Sequence, residues 1–172
     1  MRRVLILGGT TEARRLAERL VERADVAVTV SRAGRTTAPA AYAVPVRTGG
    51  FGGAEGLGEY LTAERVDALI DATHPYAAII SANAADAAAA TRVPLLALRR
   101  PPWVPRSGDR WIEVADAAAA VKALGEASRR VFLALGLSVI LLRRPALPAV
   151  PTVETVEDAV RWLDHALALR GV

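Results

Sequence analysis

The chain has 172 residues, 22 Lys plus Arg against 18 Asp plus Glu, a formal net charge of +4 and no cysteine. That length can bury a substantial core in one or two domains, and the missing cysteines exclude disulfides, Cys-ligated zinc and thiol catalysis. Arginine carries the positive charge apart from Lys122, in no long run and without interleaved aromatics; this disfavours nucleic acid and leaves an anionic ligand as the functional reading.

No apolar run approaches the roughly 18 residues of a membrane span. The Ala-rich stretch over 77–90 is interrupted by Ser81, Asn83 and Asp86. The apolar run behind Arg2 and Arg3 is four residues long and ends in Gly8-Gly9, unlike a secretory signal. A soluble cytoplasmic protein is expected.

Residues 4–7 read as a buried parallel strand. A polar turn follows, then a helix whose Ala13, Leu16, Ala17, Leu20 and Val21 share a face, with Thr10 or Thr11 as its cap. Val26–Val30 is a β-branched second strand that ends in the polar loop 31–36. A weaker strand over 42–46 leads into Gly49-Gly50-Phe51-Gly52-Gly53, four glycines in five residues. Such a loop lets backbone approach a ligand closely. A helix over 54–64, a strand over 66–71, a helix that Pro75 opens and that runs to about residue 90, and a strand over 93–98 complete a βαβ series with a parallel sheet.

Three prolines in five residues, Pro101, Pro102 and Pro105, mark a boundary. The reading is a Rossmann-like domain over 1–100 and a shortened α/β domain over 101–172. In the second, 111–114 reads as a strand, 116–126 as a helix, 131–135 and 139–142 as strands. A last helix is capped by Thr155, with Asp158 at the reciprocal position of an imperfect capping box. The run 131–142 misfits: parallel strands need a crossover of about a dozen residues, and Leu135-Gly136-Leu137 lacks hairpin chemistry. It is one long strand, a poor hairpin, or two strands with material missing between them.

Gly8-Gly9-Thr10-Thr11-Glu12-Ala13 is a relaxed dinucleotide fingerprint. Gly8 fits the sharp turn and Ala13 the close helix–strand packing, while Thr10 replaces the middle glycine. Backbone N–H groups at the helix start, with the Thr10 and Thr11 hydroxyls, suit phosphate. An NAD-preferring site carries Asp or Glu at the end of the second strand; here stand Ser31, with Arg32, Gly34 and Arg35 behind it, which suits a 2′-phosphate and favours NADP(H). The loop 49–53 and the turn Asp71 to Tyr76 share the same predicted rim, where His74 can donate or titrate. Two distant histidines, His74 and His165, make no metal site. There is no Walker-type Gly-Lys-Ser/Thr and no Gly-x-Ser-x-Gly elbow. A short-chain dehydrogenase is disfavoured, since Tyr42, Tyr60 and Tyr76 all lack a Lys four residues on.

Residues 5–14, 31–36, 47–53, 71–77, 80–84 and 100–103, in this order and spacing, resemble the precorrin-6A (or cobalt-precorrin-6A) reductases of cobalamin biosynthesis. The resemblance covers residues 1 to about 135 and touches the C-terminal end. It implies NADPH-dependent reduction of a double bond in a tetrapyrrole that carries many carboxylates, between two Rossmann-like domains. It implies that Gly8, Gly9, Thr10 and Thr11 hold phosphates and that Ser31, Arg32 and Arg35 face the 2′-phosphate. Gly49, Gly50, Phe51, Gly52, Thr73 and His74 then lie toward the nicotinamide and substrate, with His74 and Tyr76 as candidate proton donors. The chain departs from the family where 135–139 run together. There a Gly-Arg-Gln-like turn and a later Lys-Asn-Ser-Gly-Gly-like segment are absent, so the resemblance implies a second domain with part missing. The competing expectation is a catalytically impaired NADP(H)-binding remnant.

Overall fold

The computed structural model describes residues 1–33, 42–125 and 139–169. Strand β1 (Arg2–Leu7) leads to helix α1 (Thr11–Val21) and strand β2 (Val26–Arg32); then come β3 (Val46–Thr48), α2 (Ala54–Ala63), β4 (Ala68–Asp71), α3 (Ala78–Thr91) and β5 (Leu95–Leu98). Beyond these lie β6 (Trp111–Val114), α4 (Ala117–Leu124), β7 (Val139–Leu142), β8 (Thr152–Val153) and α5 (Val156–Leu169).

Six strands form one sheet in the order β3-β2-β1-β4-β5-β8, and every neighbouring pair is parallel. Alternate residues of each strand feed opposite faces. Val4, Ile6, Val28, Val30 and Ile70 pack with Leu16 and Leu20 of α1 and Ala159 and Leu163 of α5. Leu5, Leu7 and Leu69 pack with Leu57 and Leu61 of α2 and Ala84 and Ala87 of α3. Both faces are covered, which is why the strands read as continuous apolar runs. The α/β, Rossmann-like parallel sheet flanked by helices is what the sequence leads one to expect.

The chain divides into two compact units, Met1–Pro101 with Ala146–Val172, and Pro102–Pro145. This corrects the expectation that 101–172 belongs together. Ala97 and Leu98 pair with Thr152 and Val153, and Ala159, Leu163 and Leu167 of α5 are buried in the first core. The second unit holds a separate two-stranded parallel sheet of β6 and β7, with α4 between them in the chain. The expected strand over 131–135 lies outside the described residues, and the expected strand over 139–142 is β7.

Two boundaries shift for local reasons. Pro45 has no N–H to give a ladder, and the third strand begins after it, at Val46. Pro75 sits in a turn closed by Ala77 N–H donating to the His74 carbonyl at 2.8 Å, and α3 starts only at Ala78. The last helix keeps its expected cap: it starts at Val156, and the Thr155 hydroxyl accepts from Asp158 N–H at 3.1 Å. No helix among the described residues is long and apolar enough to cross a membrane.

Candidate functional site

In a sheet of this order the strand sequence reverses between β1 and β4, and ligands sit in the crevice outside the carboxyl ends of the strands there. Four segments leave those ends: 8–11, 31–32, 49–53 and 72–76. Backbone bonds tie them edge to edge. Gly8 N–H donates to the Ser31 carbonyl at 2.8 Å, Ala72 N–H to that of Leu7 at 2.9 Å, and Gly49 N–H to that of Arg32 at 2.9 Å. The rim therefore brings together Gly8, Gly9, Thr10, Thr11, Ser31, Arg32, Gly49, Gly50, Phe51, Gly52, Thr73, His74 and Tyr76; Gly34 and Arg35 lie outside the described residues.

The first turn is built by close packing. A Cβ on Gly8 would stand 2.8 Å from Val30 Cγ1 and 3.4 Å from Ala13 Cβ, so only glycine lets α1 rest this near the sheet. Thr10 is the helix N-cap: its Oγ1 accepts from Ala13 N–H at 3.1 Å and donates to the Ala72 carbonyl at 2.7 Å. The Thr10 hydroxyl thus stitches the turn to the end of β4. What this turn offers an anion is its backbone, the positive end of α1 and the exposed Thr11. Glu12 shares that first turn, and its carboxylate is held by Arg100 Nε at 3.4 Å.

At the end of β2, Ser31 is buried and Arg32 is half-buried. The Arg32 Nε is buried with no hydrogen-bond partner among the described residues, and the guanidinium lies 6.0 Å from the Tyr42 ring. Among the described residues neither Arg32 nor Arg47 forms an ion pair with a carboxylate. An unsatisfied buried donor costs about 1–3 kcal/mol. A phosphate oxygen here would satisfy the donor and neutralise the charge, so the residues present fit a phosphorylated ribose.

The glycine-rich loop is clamped from below. Arg47 Nη1 donates to the Gly49 carbonyl at 2.6 Å and Nη2 to that of Gly50 at 2.8 Å. The guanidinium lies 3.9 Å from the Phe51 ring centroid, and Phe51 meets Tyr60 edge-on at 5.2 Å. Phe51 is therefore a packed anchor of the loop. Burial, and the negative charge of Glu64, push the Tyr60 phenol above its ordinary value, with Arg47 opposing.

The fourth segment hangs on Asp71. This carboxylate is 1% exposed and accepts four hydrogen bonds: from Thr73 N–H at 3.1 Å, Thr73 Oγ1 at 2.6 Å, Ser81 Oγ at 2.6 Å and Arg99 Nη2 at 3.0 Å. It joins β4, α3 and the end of β5. The Thr73 hydroxyl and N–H both donate into this network, so its carbonyl is what the residue leaves for a ligand. The loop carries His74 out to solvent, where its Nδ1 accepts from Tyr76 N–H at 3.3 Å and its ring stacks on Tyr76 at 5.4 Å. That bond leaves Nε2 as the protonated nitrogen of the neutral ring, and so as its donor.

Arg47, Ser81 and Arg99 have no role in the sequence reading, although Arg47 and Ser81 lie inside the segments that carry the resemblance. Each matters through a partner that composition and spacing do not reveal. A lone Arg two residues before the four-glycine loop was the one available signal.

Comparison with known proteins gives the family and the fold. The family model described as Precorrin-6x reductase CbiJ/CobK matches residues 3–140. A precorrin-6A reductase of Sinorhizobium sp is 58% identical over 134 residues, 78% of this chain and 51% of the relative. One of Mycobacterium tuberculosis is 48% identical over 140 residues, 81% and 56% of the two. The chain thus spans about half the length of the curated relatives it matches. A solved structure titled CobK precorrin-6A reductase superposes with a TM-score of 0.87 at 35% identity, over 96% of this chain and 97% of that one. By sequence and by fold, the chain belongs to the precorrin-6x reductase family.

Proposed function

We propose that the first unit binds NADPH along its carboxyl rim and that the protein serves the reduction of precorrin-6A, or its cobalt form, to precorrin-6B in the cytoplasm. The supporting observation is the end of β2. A buried hydroxyl and a half-buried guanidinium, whose Nε has no partner among the described residues, stand where an NAD site carries a carboxylate. When bound, NADPH supplies a hydride to a carbon–carbon double bond of the macrocycle.

The chain's own residues bind and orient. The backbone of Gly8 and Gly9 with Thr10 and Thr11 holds the pyrophosphate at the start of α1, and Ser31, Arg32, Gly34 and Arg35 hold the 2′-phosphate. Gly49, Gly50, Phe51, Gly52 and Thr73 border the nicotinamide. His74 Nε2 donates a proton, or a hydrogen bond, toward the tetrapyrrole, with Tyr76 as its support. Most of the rate comes from holding donor and acceptor in register.

The competing reading, an impaired NADP(H)-binding remnant, has one observation in its favour. Among the described residues the second unit offers two strands and one helix, α4, none of whose residues is buried. Turnover separates the two readings. With precorrin-6A present, the chain should oxidise NADPH, and His74→Ala should slow it by about two orders of magnitude at an unchanged urea midpoint. Binding of NADPH with no oxidation would establish the remnant instead, and undiminished turnover in the variant would leave His74 with no chemical part.

A further inference from the structure

Arg47 stands on β3 opposite Ser31 in the parallel register. Besides Gly49, Gly50 and Phe51, its guanidinium reaches Ser31 Oγ at 3.5 Å and lies 5.4 Å from the Tyr60 ring. So many contacts on one side chain are spent on a loop that is otherwise costly to order, because glycine loses more freedom on folding than any other residue. The clamp also does something specific. In a trans peptide the carbonyl and the following N–H point in opposite directions. Drawing the carbonyls of Gly49 and Gly50 onto one guanidinium turns the N–H groups of Gly50 and Phe51 to the opposite side of the loop. Neither of those amides has an acceptor among the described residues. Gly50 is exposed. Two successive amides facing one way make a small donor nest for an oxygen.

We propose that Arg47 is a positioning residue for the dinucleotide: by clamping the carbonyls of Gly49 and Gly50, it presents the amides of Gly50 and Phe51 as paired donors to an oxygen of the bound ligand. The inference rests on the NADPH reading and names the backbone atoms by which the glycine-rich loop takes part. Since these donors do not sense the 2′-phosphate, their loss weakens both nicotinamide dinucleotides alike. Lysine keeps the positive charge near Ser31, but its ammonium cannot fork two carbonyls and lie flat on Phe51.

The test has two arms. Calorimetric titration of Arg47→Lys with NADPH and with NADH should show both affinities falling about tenfold by the same factor, and millimolar guanidinium ion should restore both in Arg47→Ala. In the unaltered chain, hydrogen exchange at the Gly50 and Phe51 amides should slow at least tenfold on saturation with NADPH. Unchanged affinities in Arg47→Lys, a loss confined to NADPH, or exchange at those amides that NADPH leaves untouched would each overturn the inference while the NADPH reading stands. A chain that binds neither nucleotide takes both down together.

Discussion

Asp71→Ala is expected to lower the unfolding free energy by about 3–5 kcal/mol, the usual consequence of stranding one partner of a buried ion pair. Arg99, 11% exposed, would keep its charge with no carboxylate beside it, and Ser81 and Thr73 would lose the acceptor for their hydroxyls. Against a total stability of about 5–15 kcal/mol, that loss is large enough to leave a visible unfolded fraction. Asp71→Asn should cost less, because one carbonyl oxygen still accepts from the Thr73 or the Ser81 side. Urea denaturation at constant m-value reads both. A loss under about 1 kcal/mol for Asp71→Ala would place the pair among the ordinary surface bridges and remove it as the anchor of the His74 loop.

Gly56→Ala runs against propensity in the same way that Gly8 runs against ordinary turns. Alanine in a helix is favoured over glycine by about 1 kcal/mol, so the exchange in α2 would ordinarily stabilise. Here a Cβ would stand 1.9 Å from the Phe51 carbonyl oxygen and 3.0 Å from its carbon, both backbone atoms. The loop has to move off the helix, at a cost toward the upper end of the about 1–3 kcal/mol seen on overpacking. With it go the stacking of Phe51 under Arg47 and the edge contact with Tyr60. The variant is expected to be less stable than the parent and to lose dinucleotide affinity. An increase in melting temperature would show that the loop accommodates the methyl group without moving.

The main sheet was legible because buried parallel strands are apolar on both faces and because each candidate motif follows such a run. Residues at the carboxyl ends of parallel strands necessarily share a rim, so Gly8, Ser31, Gly49 and Thr73 could be brought together without knowing a single contact. Hydrogen-bond commitments could not be read. Thr10 and Thr73 have the chemistry to hold a phosphate, yet both hydroxyls serve the protein's own backbone or Asp71. The pairing of Asp71 with Arg99 spans 28 residues, a separation at which one sequence carries no signal. The return of residues 146–169 to the first unit was hidden for another reason. Strand β8 is two residues long, too short to show periodicity, and it lies behind a proline-rich link that reads as a boundary. Ala159, Leu163 and Leu167 announced a buried helix face without saying which core it joins.

Ser31 and Arg32, at the carboxyl end of β2, are proposed to select a phosphorylated dinucleotide. Calorimetric titration of the unaltered chain and of Arg32→Ala with NADPH and with NADH tests it most directly. A charge-assisted hydrogen bond contributes about 1.5–3 kcal/mol. The unaltered chain should therefore prefer NADPH by about 10- to 100-fold, and Arg32→Ala should erase most of that preference while leaving NADH affinity where it was. Equal affinity for the two nucleotides in the unaltered chain, or equal losses for both in Arg32→Ala, would contradict it.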